Sequence, residues 1–150
     1  MRKKILVAIL FGFFLLGITG CTSTNNFDIG GASDIEINDN NGVTLSIKDG
    51  TLKNTCATLI LENNTNKLLH YDEYYKIEVK KDNIWHTINV DLYFNDPLWE
   101  VKQNSNEEID LNWKDGYGKL ASGEYRIIKK VYFENEKEQE FYVSVEFVIK

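Results

Sequence analysis

A chain of 150 residues carries 17 Lys and Arg against 23 Asp and Glu, a formal charge of −6. The length predicts one domain. The acidic balance excludes nucleic acid as a partner, because phosphate recognition needs a basic footprint.

The chain opens on Met1-Arg2-Lys3-Lys4, followed by an apolar run from Ile5 to Ile18 broken only by Gly12 and Gly17. That run is too short to cross a ~30 Å hydrocarbon core, which takes roughly 20 apolar residues. With its basic flank it predicts a signal peptide. It ends in Ile18-Thr19-Gly20-Cys21, which resembles the lipobox of bacterial lipoproteins. Leu is usual at the first position of that motif, and Ile is a common substitute. The resemblance implies removal of residues 1–20, a diacylglycerol on the Cys21 sulfur and a lipid-anchored place on the extracytoplasmic face of the cell membrane. Two acyl chains anchor stably, at ~0.8 kcal/mol per buried CH₂. Without Arg2, Lys3 and Lys4 the balance is 14 basic against 23 acidic residues. Such a surface keeps a protein soluble and adds no attraction to an anionic leaflet. A lipidated Cys21 leaves Cys56 alone, with no intrachain disulfide, so the fold must stand on its apolar core.

Residues 22–41 are rich in Thr, Ser, Asn, Gly and Asp. They predict a flexible tether with an r.m.s. span of roughly 25 Å. From Val43 the apolar residues recur with period two, as in half-buried strands. Val43, Leu45 and Ile47 predict one strand, and Thr55 to Leu61 a second. Tyr75, Ile77 and Val79 lead into Lys81-Asp82-Asn83, whose Asp and Asn suit a hairpin turn, and a strand returns from Ile84 to Val90. Leu92 to Asn104, with Pro97, is the least regular stretch. Ile109, Leu111 and Trp113 alternate again. A long strand runs from Tyr125 to Phe133, Glu134-Asn135-Glu136 turns, and Phe141, Val143, Val145, Phe147 and Ile149 close the chain. About seven strands and no helix beyond the signal peptide predict an all-β fold, an antiparallel sandwich of immunoglobulin type. A small closed barrel is the competing architecture.

Leu120-Ala121-Ser122-Gly123-Glu124-Tyr125-Arg126-Ile127 resembles the tyrosine corner of Ig-like folds, with Gly123 in the turn and Tyr125 at the start of a late strand. Trp113, Tyr117-Gly118, Leu120, Gly123, Tyr125-Arg126-Ile127 and Lys129 together resemble the C-terminal signature of a bacterial Ig-like domain family. Ser122 stands where that family often has Pro. The resemblance spans residues 42–150 and implies a fold and an extracytoplasmic location, but no reaction.

Catalytic and metal chemistry find no pattern. His70 and His86 lack a third clustered ligand for zinc and read as ordinary surface or edge positions. Cys56 has no close basic cluster to activate it and reads as a buried or half-buried structural thiol. No nucleophile turn or glycine-rich phosphate loop occurs, and Glu134, Glu136, Glu138 and Glu140 read as a solvated face around Lys137. The expectation is therefore no enzyme, no metal and no cofactor. The suggestive feature is aromatic: Tyr93, Leu98 and Trp99 in the irregular stretch form a candidate ligand-binding patch. The expected function is a non-catalytic Ig-like module, held to the membrane through Cys21, that binds or supports an envelope protein or glycan. The alternative is a surface-tethered proteinase inhibitor presenting residues 92–104.

Overall fold

Alternating apolar side chains require a second layer to bury them, and nine strands among the described residues meet that need in two antiparallel sheets. The computed structural model describes residues 27–38, 42–95 and 97–150; Cys21 and the signal-peptide segment lie outside them. In the larger sheet β1 (Asp28–Ala32), β5 (Ile84–Asn89), β4 (Leu69–Lys81), β8 (Gly123–Phe133) and β9 (Phe141–Ile149) lie side by side in that order. A short strand, β6 (Trp99–Val101), pairs with Leu69–Tyr71 of β4, whereas β5 pairs with Glu78–Lys81. The smaller sheet runs β2 (Val43–Ile47), β3 (Cys56–Asn63) and β7 (Ser105–Asn112). Two separate sheets make this the Ig-like sandwich and not the closed barrel.

The core is the seam between the sheets. Leu59, Leu61, Ile77, Tyr125, Ile127 and Val131 are fully buried there, and Trp113 packs beside Phe147 with ring centroids 6.1 Å apart. The hairpin at Asp82 and Asn83 has φ of 50° and 62°, both positive as a tight two-residue turn requires. One turn of helix, α1 (Lys114–Tyr117), and a 3₁₀ turn at Lys137–Gln139 are the helical segments among the described residues. The Tyr117 hydroxyl accepts the Ile77 N–H at 2.9 Å, giving that inner strand donor a partner.

Residues 28–38 correct the expected tether. Asp28–Ala32 pairs with β5, and residues 33–38 then cross the outer face of the larger sheet to β9. The Ser33 N–H donates to Trp85 O and the Asn38 N–H to Tyr142 O, each at 2.8 Å. Between them Ser33 Oγ donates to Glu78 Oε1 at 2.6 Å and accepts from Arg126 Nη2 at 3.3 Å. Glu78 is fully buried and pairs with Arg126 at 2.7 Å. The composition of this segment was misleading because main-chain bonds and one buried ion pair hold it, not apolar burial. His70 is a second correction. It is buried, stacked on Tyr132 at 5.3 Å, and among the described residues its Nδ1 has no hydrogen-bond partner.

Candidate binding site

The irregular stretch before β7 is pinned on both sides of residue 96. Leu92 seats against Gly116, where an added Cβ would lie 2.1 Å from the leucine methyl, so a larger residue there would have to displace Leu92. Phe94 meets the ring edges of Tyr74 and Tyr75 at 5.5 and 5.4 Å. The Asn95 N–H donates to Glu73 at 3.1 Å. Trp99–Val101 joins the sheet, and buried Asn63 donates to Val101 O and Lys102 O at 3.1 Å. A segment held at so many points is a rigid platform, not a freely projecting loop.

On this platform Tyr93 is 96% exposed, Leu98 54% and Trp99 40%. The structure does not bring all three into one hollow. Trp99 stacks on Tyr71 at 5.6 Å and lines a cleft of about 250 Å³ with Phe94, and Tyr93 and Leu98 lie outside its lining. The opposite wall is Ile109–Asn112 of β7, and the near wall is Asp72, Glu73 and Tyr75 of β4. Register slips between Tyr71 and Tyr75, so β4 bulges at the cleft and carries Asp72 and Glu73 toward it.

At the base of the cleft stands Lys129, a residue sequence reasoning did not assign to a site. It points inward between Ile127 and Val131 and is 1% exposed. Its ammonium donates to Asp72 O at 2.5 Å and lies 5.5 Å from the Tyr71 ring centre. The Asp72 carboxylate faces Lys130 instead, at 3.9 Å. Burial pushes the Lys129 ammonium down to about 8, against a smaller opposing pull from Asp72 and Glu73. Burial likewise raises the Tyr71 and Tyr75 hydroxyls, which stay neutral across physiological pH. The signal for Lys129 was present in the strict period of β8, which puts a lysine on a face otherwise apolar.

The other singled-out residues lie elsewhere. Tyr125 is fully buried; its hydroxyl donates to Ala121 O at 2.9 Å, and a Cβ at Gly123 would crowd its ring at 3.3 Å. Cys56 is half-buried at the start of β3, and His86 Nδ1 lies 3.2 Å from Gly30 O. Among the described residues no three His, Cys, Asp or Glu side chains gather to hold a metal ion. A larger hollow of about 650 Å³ lies where residues 34–38 meet Glu140–Tyr142, but no buried charged group opens into it.

A search of curated proteins finds no match. The sequence profile of the bacterial Ig-like domain family matches residues 39–147. With two antiparallel sheets over that span and the buried Tyr125 bonded back across its corner, the chain belongs to the bacterial Ig-like domain family.

Proposed function

We propose that this protein is an extracytoplasmic lipoprotein, anchored through a lipid on Cys21, whose Ig-like domain is a non-catalytic module for binding another envelope component. The observation that carries the reading is the pinned platform. Trp99, Leu98 and Tyr93 stay exposed on a segment that Gly116, Glu73 and Asn63 hold rigid. Exposed aromatics on a rigid support give contact area at low entropic cost, as in binding hot spots. The inhibitor reading gains nothing from this geometry, because it calls for a loop that projects.

The test is crosslinking in cells followed by mass spectrometry, comparing the full chain with its Trp99→Ala variant. The expected result is one envelope component enriched with the native chain and lost with the variant. Recovery of the same set from both, or of nothing from either, overturns the assignment of the surface.

A further inference from the structure

The smaller sheet ends on β7, which pairs with β3 on one side; among the described residues no strand lies on its other side. Main-chain groups alternate in direction along a strand with period two. The Trp113 N–H, one residue past β7, donates to Thr55 O, and the Lys48 N–H donates to Thr58 O on the far side of β3. Both bonds give the same parity. The odd residues of β7 bond to β3, and Asn106, Glu108 and Asp110 turn their N–H and C=O to the open edge. Such a row is the complement of another extended main chain. The cleft lies along this edge, with Ile109 and Leu111 on its β7 side and Phe94 and Trp99 across from them.

The charge beside the edge is one-signed. From Asp91 to Trp113 the chain carries six Asp and Glu against one base, Lys102. Glu107 is exposed and stands near enough to Tyr71 to add to the rise that burial gives its hydroxyl. Glu108 and Asp110 lie on the outward face of the sheet. Glu108 holds Lys48 at 2.7 Å while half-exposed, and Asp110 accepts from the Thr58 hydroxyl at 2.7 Å. An exposed pair of that kind contributes little and is readily exchanged for another cation. A second copy of this chain is a poor occupant, because β7 laid on β7 sets these carboxylates against one another.

We propose that the open edge of β7 takes an extended segment of a basic polypeptide as a fourth strand of the smaller sheet, with apolar side chains entering the cleft against Trp99 and basic ones standing beside Glu108 and Asp110. The assignment rests on the binding-module reading above and names its partner class. Side chains of an added strand alternate between the two faces. Those opposite Ile109 and Leu111 point into the cleft of about 250 Å³, where Phe94 and Trp99 give them apolar contact and the Lys129 ammonium disfavours a cation. Those opposite Glu108 and Asp110 point outward, where the carboxylates favour Lys or Arg. Main-chain bonds then supply affinity and the alternate side chains supply specificity, as in other strand additions.

The experiment titrates the full chain, solubilised in detergent, with peptides of eight residues, the length of β7. In one series Lys or Arg alternates with Val, Leu or Phe, and in the other Glu replaces the base. The basic series should bind and the acidic one should not, and the affinity should fall as salt rises. Hydrogen exchange reads the place: the amides of Glu108 and Asp110 should slow on binding, and those of Ser144 and Glu146 in β9 should not. Glu108→Gln removes the charge alone and should weaken binding by about threefold. Glu108→Pro also removes one edge N–H, which an edge strand tolerates, and should weaken it by about tenfold. Methylating the peptide nitrogens that face the edge should abolish binding to the native chain, with no change to the protein. The proposal is overturned if no basic peptide binds, if both series bind alike, if the Glu108 and Asp110 amides do not slow, or if methylated peptides bind as well. If crosslinking in cells still captures a Trp99-dependent protein while no basic peptide binds, the binding module stands and the β7 edge falls. A Trp99-dependent glycan in place of a protein overturns the edge assignment too. If both experiments fail, both readings fall.

Discussion

Lys129 shows what one residue can cost a core. Its neighbours across the ladder are Tyr75 and Val143, and its own strand presents Tyr125, Ile127, Val131 and Phe133 on the same face. An ammonium there gives up hydration for one carbonyl and one ring. With a native pKa near 8 and the ordinary value of 10.5 in the unfolded chain, native and unfolded states bind the same proton below pH 8. From pH 8 to 10.5 the unfolded state holds more protons, so stability rises with pH across that window. The gain is on the order of 3 kcal/mol, at 1.36 kcal/mol per pKa unit. The buried tyrosines act in the opposite sense. Tyr71, Tyr74, Tyr75 and Tyr117 have raised values, so their contribution is present below pH 10 and lost above it. Comparison with Lys129→Met separates the two, since the variant keeps the tyrosines. Urea unfolding at pH 7 and at pH 10 should show the variant's advantage shrinking as pH rises. An advantage independent of pH would mean that Lys129 holds its proton as tightly in the native protein as in the unfolded chain. The period of β8 made the inward position of this lysine legible in the sequence. The hollow it faces was not, because that depends on a bulge in β4 and on the distant β7.

At the scale of elements, strands that bury one face were readable and strands held by main chain were not. Val43–Ile47 and Phe141–Ile149 alternate cleanly because one side of each faces the seam. Asp28–Ala32 does not alternate: it is DIGGA, and at Gly30 an added Cβ would lie 2.2 Å from Thr87 Oγ1. Close approach to the Thr87 and Asn89 side chains of β5, not hydrophobicity, marks that position. Trp99–Val101 is too short to show a period, and it exists because Leu69–Tyr71 offers an edge beyond the reach of β5. The crossing segment after β1 depends on the Glu78–Arg126 pair beneath Ser33. Removing one member of a buried pair leaves the other uncompensated, so Glu78→Ala should cost ~3–5 kcal/mol in denaturant unfolding. Hydrogen exchange locates the effect. In the native chain the Ser33 and Asn38 amides should be protected, and in Glu78→Ala they should exchange faster than those of β3. Exchange of residues 28–38 at unfolded-chain rates in the native protein would remove the segment from the fold.

For the whole molecule, incorporation of residues 28–38 changes what an anchor on Cys21 would do. Six residues, 22–27, separate that cysteine from β1, and at ~3.3–3.6 Å per residue they reach at most about 25 Å. A 20-residue tether would let the domain roam, whereas this link would keep its first strand within about 25 Å of an anchored Cys21. The cost of that confinement is small for a ligand at the membrane and large for one far out in a wall, so the cleft's partner should be found close to the lipid surface. The anchor itself is tested by substitution. With two acyl chains the native protein should sediment with membranes and incorporate an alkyne-tagged fatty acid, since two chains anchor stably where one does not. Cys21→Ser should carry no label and leave the membrane fraction, whereas Cys56→Ser should keep both, because its thiol lies within the fold at the start of β3. If Cys21→Ser stays bound to membranes, the apolar run from Ile5 to Ile18 is the anchor instead, and the lipid on Cys21 falls with it.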